Sequence, residues 1–233
     1  MKQNPNRHCL AVASLLLLLA LSSVRGDDPA QPAAKQITSA EALERLKQGN
    51  ARFVADKPIE RKLKIRRLET ADKQKPFAII LTCADSRVGP ELVFDQSLGD
   101  VFVIRVAGNT ATDASIVGSI EYGITQFHVP LIVVLGHEKC GAVAAALEGG
   151  NEEGSIGAVI KQVYVGDKAG KNNDAKLAAA VRVNAKYQTS ELLKRSKIIA
   201  EMVKGERVQI VTGVYNLKSG EVEWLPTALK NGK

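Results

Sequence analysis

Three short, almost wholly apolar runs constrain this chain more than anything else in it. They are Phe77–Leu81 (FAIIL), Val101–Val106 (VFVIRV) and Leu131–Leu135 (LIVVL). None alternates polar with apolar residues, so each reads as a strand buried on both faces. Segments of helical character lie between and after them: Thr112–Phe127, the alanine-rich Lys139–Leu147, and Asp174–Lys204 with a break expected near Ser190. Strands alternating with helices predict an α/β fold, a central, mostly parallel β-sheet flanked by helices. Val208–Val214 supplies a fourth strand, and the turn at Lys218-Ser219-Gly220 lets Val222–Leu225 pair back as a hairpin. Gly149–Gly157 is expected to be a flexible loop, and the chain has no internal repeat.

Ahead of the sheet the pattern is helical. Thr38 and Glu41 have capping-box spacing, and Leu43, Leu46, Phe53 and Val54 recur on one face of a helix that stops near Pro58. A second helical stretch, Glu60–Lys73, carries Arg61, Lys62, Lys64, Arg66 and Arg67. It reads as a solvated face with Leu63, Ile65 and Leu68 partly buried, in preference to a polyanion or membrane contact. The first of these helices forms an N-terminal arm whose apolar stripe is expected to be left partly uncovered.

Residues 1–26 read as an export signal. Lys2, Arg7 and His8 make a basic start, Cys9–Leu21 is apolar, and Val24 and Gly26 suit a signal-peptidase site. The apolar stretch is shorter than the roughly 20 residues of a membrane span, and an uncleaved anchor is the alternative. Residues 27–37 then form a Pro/Ala-rich linker and 38–230 one domain. The formal charge of +7 falls to +4 once Lys2, Arg7 and Arg25 leave with the signal, so charge gives no reason to expect nucleic acid. The expected location is periplasmic or extracellular, with no stable membrane insertion after cleavage.

The mature chain keeps two cysteines, each directly after a predicted strand. Cys83 opens the run Cys83-Ala-Asp85-Ser-Arg87, and His137 and Cys140 lie in Gly136-His-Glu-Lys-Cys140-Gly141. In a parallel sheet both runs sit at the carboxyl ends of strands, where ligand sites form. Cys2His with an open fourth position is a catalytic zinc ligand set. A disulfide is the alternative, and an oxidising compartment favours it. A disulfide, however, gives no reason for His137 three residues before Cys140, nor for the Asp85/Arg87 pair beside Cys83.

These motifs resemble the β-class carbonic anhydrases. The residues that carry the likeness are CADSRV at Cys83–Val88 and GHEKCGAV at Gly136–Val143. Phe94–Arg105, Ala107-Gly108-Asn109, Gly118–Tyr122 and Ile210–Leu225 extend it, so that roughly Thr38 to Leu225 is covered. The resemblance implies one Zn2+ per subunit on Cys83, His137 and Cys140. It implies reversible hydration of CO2 to bicarbonate and a proton by zinc-bound hydroxide. Asp85 would orient that hydroxide, and Arg87 would hold the Asp85 carboxylate off the metal; in some relatives the aspartate swings onto zinc.

Gln74 lies at the spacing where the plant-like subgroup has a glutamine that donates to a substrate oxygen. Phe102, Ala107 and Tyr122 fall where the family has an apolar wall suited to CO2. Gly108 and Gly141 are expected to allow close backbone approach near the metal. Ile80 stands where the subgroup with a non-catalytic bicarbonate site has tryptophan, which argues against that site. The resemblance also implies a homodimer or tetramer clasped by the arm. Competing readings are the same site acting on CS2 or COS, and a non-enzymatic disulfide-bonded or zinc-binding structural protein.

Overall fold

The computed structural model describes residues 36–150, 153–166 and 174–226, so the segment expected to be an export signal and most of the expected linker lie outside the described residues. Five strands form one sheet in the order β2-β1-β3-β4-β5: β1 Ala78–Thr82, β2 Val101–Arg105, β3 Leu131–His137, β4 Gln209–Tyr215 and β5 Val222–Leu225. The first four are parallel, and β5 returns antiparallel to β4. All five residues of β1 and all seven of β3 are buried, which is what their uninterrupted apolar sequences demand.

Side chains of successive strand residues leave opposite faces of the sheet. One core joins Ala78, Ile80, Leu131, Val133 and Leu135 to Ala42, Leu46 and Phe94. The other joins Ile79, Leu81, Ile132 and Val134 to Ile120, Ile124, Leu192 and Ile199. The first face is covered by α1 (Ser39–Val54), the second by α4 (Ala114–Phe127), α7 (Asp174–Arg195) and α8 (Lys197–Lys204). Short helices α2 (Leu63–Glu69), α3 (Pro90–Val93), α5 (Gly141–Leu147) and α6 (Gly154–Ile160) complete the described residues.

Local chemistry sets the helix ends. The Thr38/Glu41 capping box is formed at α1, and Asp113 caps α4 through the Ser115 N–H. The break expected near Ser190 falls at Ser196 instead. There the buried Ser196 hydroxyl accepts from the Ile199 N–H and starts α8, whereas Ser190 turns its hydroxyl back to the Tyr187 carbonyl within α7. The glycine-rich segment after α5 is also shorter as a loop than expected, because Gly154 already opens α6.

The stripe on α1 is partly uncovered, as expected: Leu43 and Phe53 are half-buried and Val54 is exposed. Ala42 and Leu46 of α1 are fully buried in the chain's own core. More apolar surface is uncovered on α2, which buries none of its residues; Leu63, Ile65 and Leu68, expected to be partly buried, are 53%, 52% and 64% exposed. Part of the basic run is tied inward. Arg61 pairs with the buried Asp95, which also binds Arg52 and the Ile59 N–H, and Arg66 pairs with Asp100. These ion pairs hold α2 against the α3–β2 segment without burying its leucines.

Candidate metal centre

The order β2-β1-β3 means that the chain leaves β1 to one side and later returns on the other. This opens a crevice beyond the carboxyl ends of β1 and β3. Thr82 pairs with Leu135, so Cys83 emerges beside Gly136 and next to His137, the last residue of β3. Cys140 follows as the residue before α5. One ligand atom from each of Cys83, His137 and Cys140 lies within 4.8 Å of the others, and all three residues are buried.

The separations discriminate between metal and disulfide. The two Sγ atoms stand 3.9 Å apart, far beyond an S–S bond of about 2.05 Å. Two sulfurs about 2.3 Å from one tetrahedral zinc would be about 3.8 Å apart. His137 supplies the third direction. Its Nδ1 meets the Glu138 carbonyl at 2.8 Å, while its buried Nε2 has no hydrogen-bond partner. With Nδ1 donating, Nε2 carries a lone pair, and burying it unpaired is costly unless a cation takes it. This donor set fits zinc.

Electrostatics point the same way. The contact with Cys140 pulls the Cys83 thiol down to about 4, aided by His137 and by the backbone N–H groups of Asp85 and Gly108. The same contact, with burial, pushes Cys140 up. A dication between the sulfurs would stabilise both thiolates.

Asp85 is placed beside this site by its own loop. The Arg87 backbone N–H and Nε donate to Asp85 Oδ1, each at 2.9 Å, and Nη2 donates to Oδ2 at 2.7 Å. These hydrogen bonds hold the Asp85 carboxyl well below the usual carboxylate range, the Arg87 side chain contributing most. Asp85 Oδ2 lies 3.9 Å from the free His137 Nε2, so the carboxylate borders the position a metal would take.

The carbonic anhydrase family model matches residues 78–222, from the first residue of β1 to the first of β5. The chain belongs to the β-class carbonic anhydrases. It is 40% identical over 185 residues to carbonic anhydrase 2 of Mycobacterium tuberculosis, covering 77% of this chain and 89% of that one. It is also 40% identical over 191 residues to a carbonic anhydrase of Mycolicibacterium smegmatis, covering 78% and 91%. A β-carbonic anhydrase of Coccomyxa, solved with acetazolamide, superposes with a TM-score of 0.63 at 27% identity, covering 78% of this chain and 84% of that one.

The remaining expected residues of this carbonic anhydrase divide by position. Ala107 and Gly108 form a 3₁₀ turn after β2, and Gly108 has φ +73°. A Cβ at Gly108 would stand 2.8 Å from Val163 Cγ2 and 3.3 Å from Ala142 Cβ, so close approach is required there. It is not required at Gly141, where a Cβ would meet nothing within 4 Å. Phe102 pairs with Ile79, about 10 Å below the carboxyl edge, and packs among Tyr122 and Phe127 on the α4 side. Tyr122 is 54% exposed, and Gln74 is exposed ahead of β1, at the opposite end of that strand from Cys83. Within one chain, then, Gln74, Phe102 and Tyr122 are not brought to the cysteines.

Two supports of the site escape the motif reading. Arg105, the last residue of β2, donates from Nε to the Cys83 carbonyl (3.1 Å) and from Nη2 to the Asp85 carbonyl (2.6 Å). Asn184 and Gln188, buried on α7, hold the turn at Gly108 and the segment that follows it. A lone arginine ending an apolar strand is the one sequence signal that could have found Arg105; the pattern around Asn184 and Gln188 offers none.

Proposed function

We propose that this protein is an exported, zinc-dependent carbonic anhydrase of the plant-like subgroup. It interconverts CO2 with bicarbonate and a proton. The observation that carries the site assignment is the buried, unpartnered His137 Nε2 facing two sulfurs 3.9 Å apart at the switch point of the sheet. Cys83, Cys140 and His137 would hold one zinc per subunit, leaving a fourth position open. When bound, the metal supplies Lewis acidity that makes a nucleophile available from water near neutral pH.

The protein's own groups supply orientation. Asp85 stays ionised and, as an acceptor only, fixes the direction of a proton donor beside the metal position. Arg87 holds that carboxylate through two side-chain hydrogen bonds, and Arg105 holds the backbone that carries it. The deciding experiment measures zinc content and CO2 hydration for the wild type, Cys83→Ser and Asp85→Asn. One zinc and activity in the wild type, no zinc in Cys83→Ser, and zinc with little activity in Asp85→Asn are expected. Full activity in zinc-free or Cys83→Ser protein would refute the reading.

Export is supported by the basic-then-apolar pattern of residues 1–26, and N-terminal sequencing of secreted or periplasmic protein tests it. The plant-like assignment is supported by Ile80, which is buried in the core where the other subgroup has tryptophan. A homodimer or tetramer is supported by the exposed apolar side chains Ile59, Leu63, Ile65 and Leu68. Light scattering of the zinc-loaded protein tests that.

A further inference from the structure

The His137 ring is aimed by one contact: Nδ1 meets the Glu138 carbonyl at 2.8 Å, which leaves Nε2 for the metal position. That carbonyl belongs to the peptide joining Glu138 to Lys139. Lys139 has φ +52°, a left-handed conformation that glycine or asparagine normally fills in a turn. Rotating this peptide would release Lys139 from that conformation and would turn the Glu138 carbonyl away from His137. Backbone strain of this kind persists only where the surroundings over-determine it.

The restraint comes from the neighbouring strand. β3 and β4 pair His137 with Tyr215, so Glu138 and Asn216 leave the sheet side by side. The Glu138 N–H donates to the Tyr215 carbonyl at 3.0 Å, and Glu138 Oε1 accepts from Asn216 Nδ2 at 3.0 Å. Asn216 is itself firmly held in the turn between β4 and β5. Its N–H donates to the Glu221 carbonyl at 2.8 Å, and its carbonyl accepts the Gly220 N–H at 3.0 Å. Its Oδ1 accepts the N–H groups of Lys218 at 2.9 Å and Ser219 at 2.8 Å. Those two bonds require an oxygen, so it is Nδ2 that faces Glu138.

We propose that the Glu138–Asn216 hydrogen bond positions the metal centre: it locks the turn between His137 and Cys140, so that the Glu138 carbonyl keeps His137 Nδ1 protonated and Nε2 directed at the metal. The inference rests on the zinc reading of Cys83, His137 and Cys140. Neither side chain belongs to that ligand set; both are positioning residues that act through the Glu138–Lys139 peptide. The partner of a ligating histidine's second nitrogen fixes its tautomer and ring orientation, and losing such support typically weakens metal binding by about ten- to a hundredfold.

The test uses zinc-loaded, nitrogen-15-labelled protein. Asn216→Asp keeps the acceptor that the turn needs but sets a carboxylate against Glu138. In it the His137 Nδ1 proton resonance should shift and exchange faster with water, and zinc should leave to a chelator about ten- to a hundredfold faster. Adding Glu138→Gln supplies a donor to the new carboxylate and should restore both readouts. Ser219→Ala is the control, since it removes the hydroxyl that accepts the Glu221 N–H at 3.2 Å in the same turn and leaves the Glu138–Asn216 bond in place. It should match the wild type. Wild-type values in Asn216→Asp, no restoration in the double variant, or the same change in Ser219→Ala would overturn the proposal. Should Asn216→Asp not fold, Glu138→Ala breaks the bond from the half-buried partner and decides: the same shift and faster release support the proposal, and wild-type values overturn it. A wild type that binds no zinc would instead refute the metal reading beneath, and the proposal with it.

Discussion

Substituting alanine at Gly108 and at Gly141 should have effects of opposite sign, although by sequence both glycines are expected to allow close backbone approach near the metal. At Gly108 the backbone has φ +73°, where an L side chain costs about 1–2 kcal/mol. The new Cβ would also press on Val163 at 2.8 Å and Ala142 at 3.3 Å, and overpacking of this kind costs about 1–3 kcal/mol. Lower flexibility of the unfolded chain returns about 0.4–1 kcal/mol. The net loss for Gly108→Ala is about 1–5 kcal/mol, centred near 3, a large part of an ordinary domain's stability. Gly141 begins α5, and its Cβ would meet nothing within 4 Å. There only the unfolded-state term remains, and Gly141→Ala should gain about 0.4–1 kcal/mol. Urea denaturation at one fixed protein concentration with excess zinc measures both, because metal and association each shift the midpoint. With a slope of about 2 kcal/mol/M, Gly108→Ala should lower the midpoint by about 0.5–2.5 M, and Gly141→Ala should not lower it. Equal shifts in the two variants, or a wild-type midpoint for Gly108→Ala, would refute the argument.

Other consequences follow from the same geometry. Asp85→Asn should keep one zinc per chain while kcat/KM for CO2 hydration falls about a hundredfold, as measured by stopped flow. Because the folded Asp85 carboxyl is held below its unfolded range, its ion pair with Arg87 contributes stability fully above about pH 4 and loses it as the pH falls further. The wild type should therefore be modestly more stable than Asp85→Asn near neutrality, Arg87 being solvent-exposed, and the gap should close on acidification. Protein lacking residues 1–26 and stripped of zinc should form a Cys83–Cys140 disulfide when the oxidant diamide takes up the two thiol hydrogens, whereas zinc-loaded protein should keep both thiols, as counted by thiol titration. Leu63→Glu with Leu68→Glu should leave the secondary structure intact, since both side chains are exposed, and should lower the mass seen by light scattering.

The fold was legible in the sequence where burial is complete. FAIIL and LIVVL lack any polar position, so they could only be interior strands, and the helices between them forced a parallel sheet. Helix ends were legible where a local hydrogen bond decides, as at Thr38 and Glu41, and missed where a buried partner decides, as at Ser196, which also donates to Glu121. The apolar faces of α1 and α2 look alike in sequence. Only packing showed that α1 buries Ala42 and Leu46 in the chain's own core and that α2 buries none of its residues.

The ligand set shows the division most sharply. Residue types and their places after strands determined by themselves that Cys83, His137 and Cys140 face one edge of a sheet, because strand direction is a local property. Whether they meet as a disulfide or around a metal depended on a separation of 3.9 Å and on which imidazole nitrogen is left unpaired. Those are set by strand order and by the Glu138 carbonyl. The supports of the site, Arg105 on β2 and Asn184 on α7, are likewise decided by tertiary structure alone. A hydrogen bond spanning 76 residues leaves no trace in local sequence pattern, since nothing in the spacing says which carbonyl a buried amide will find.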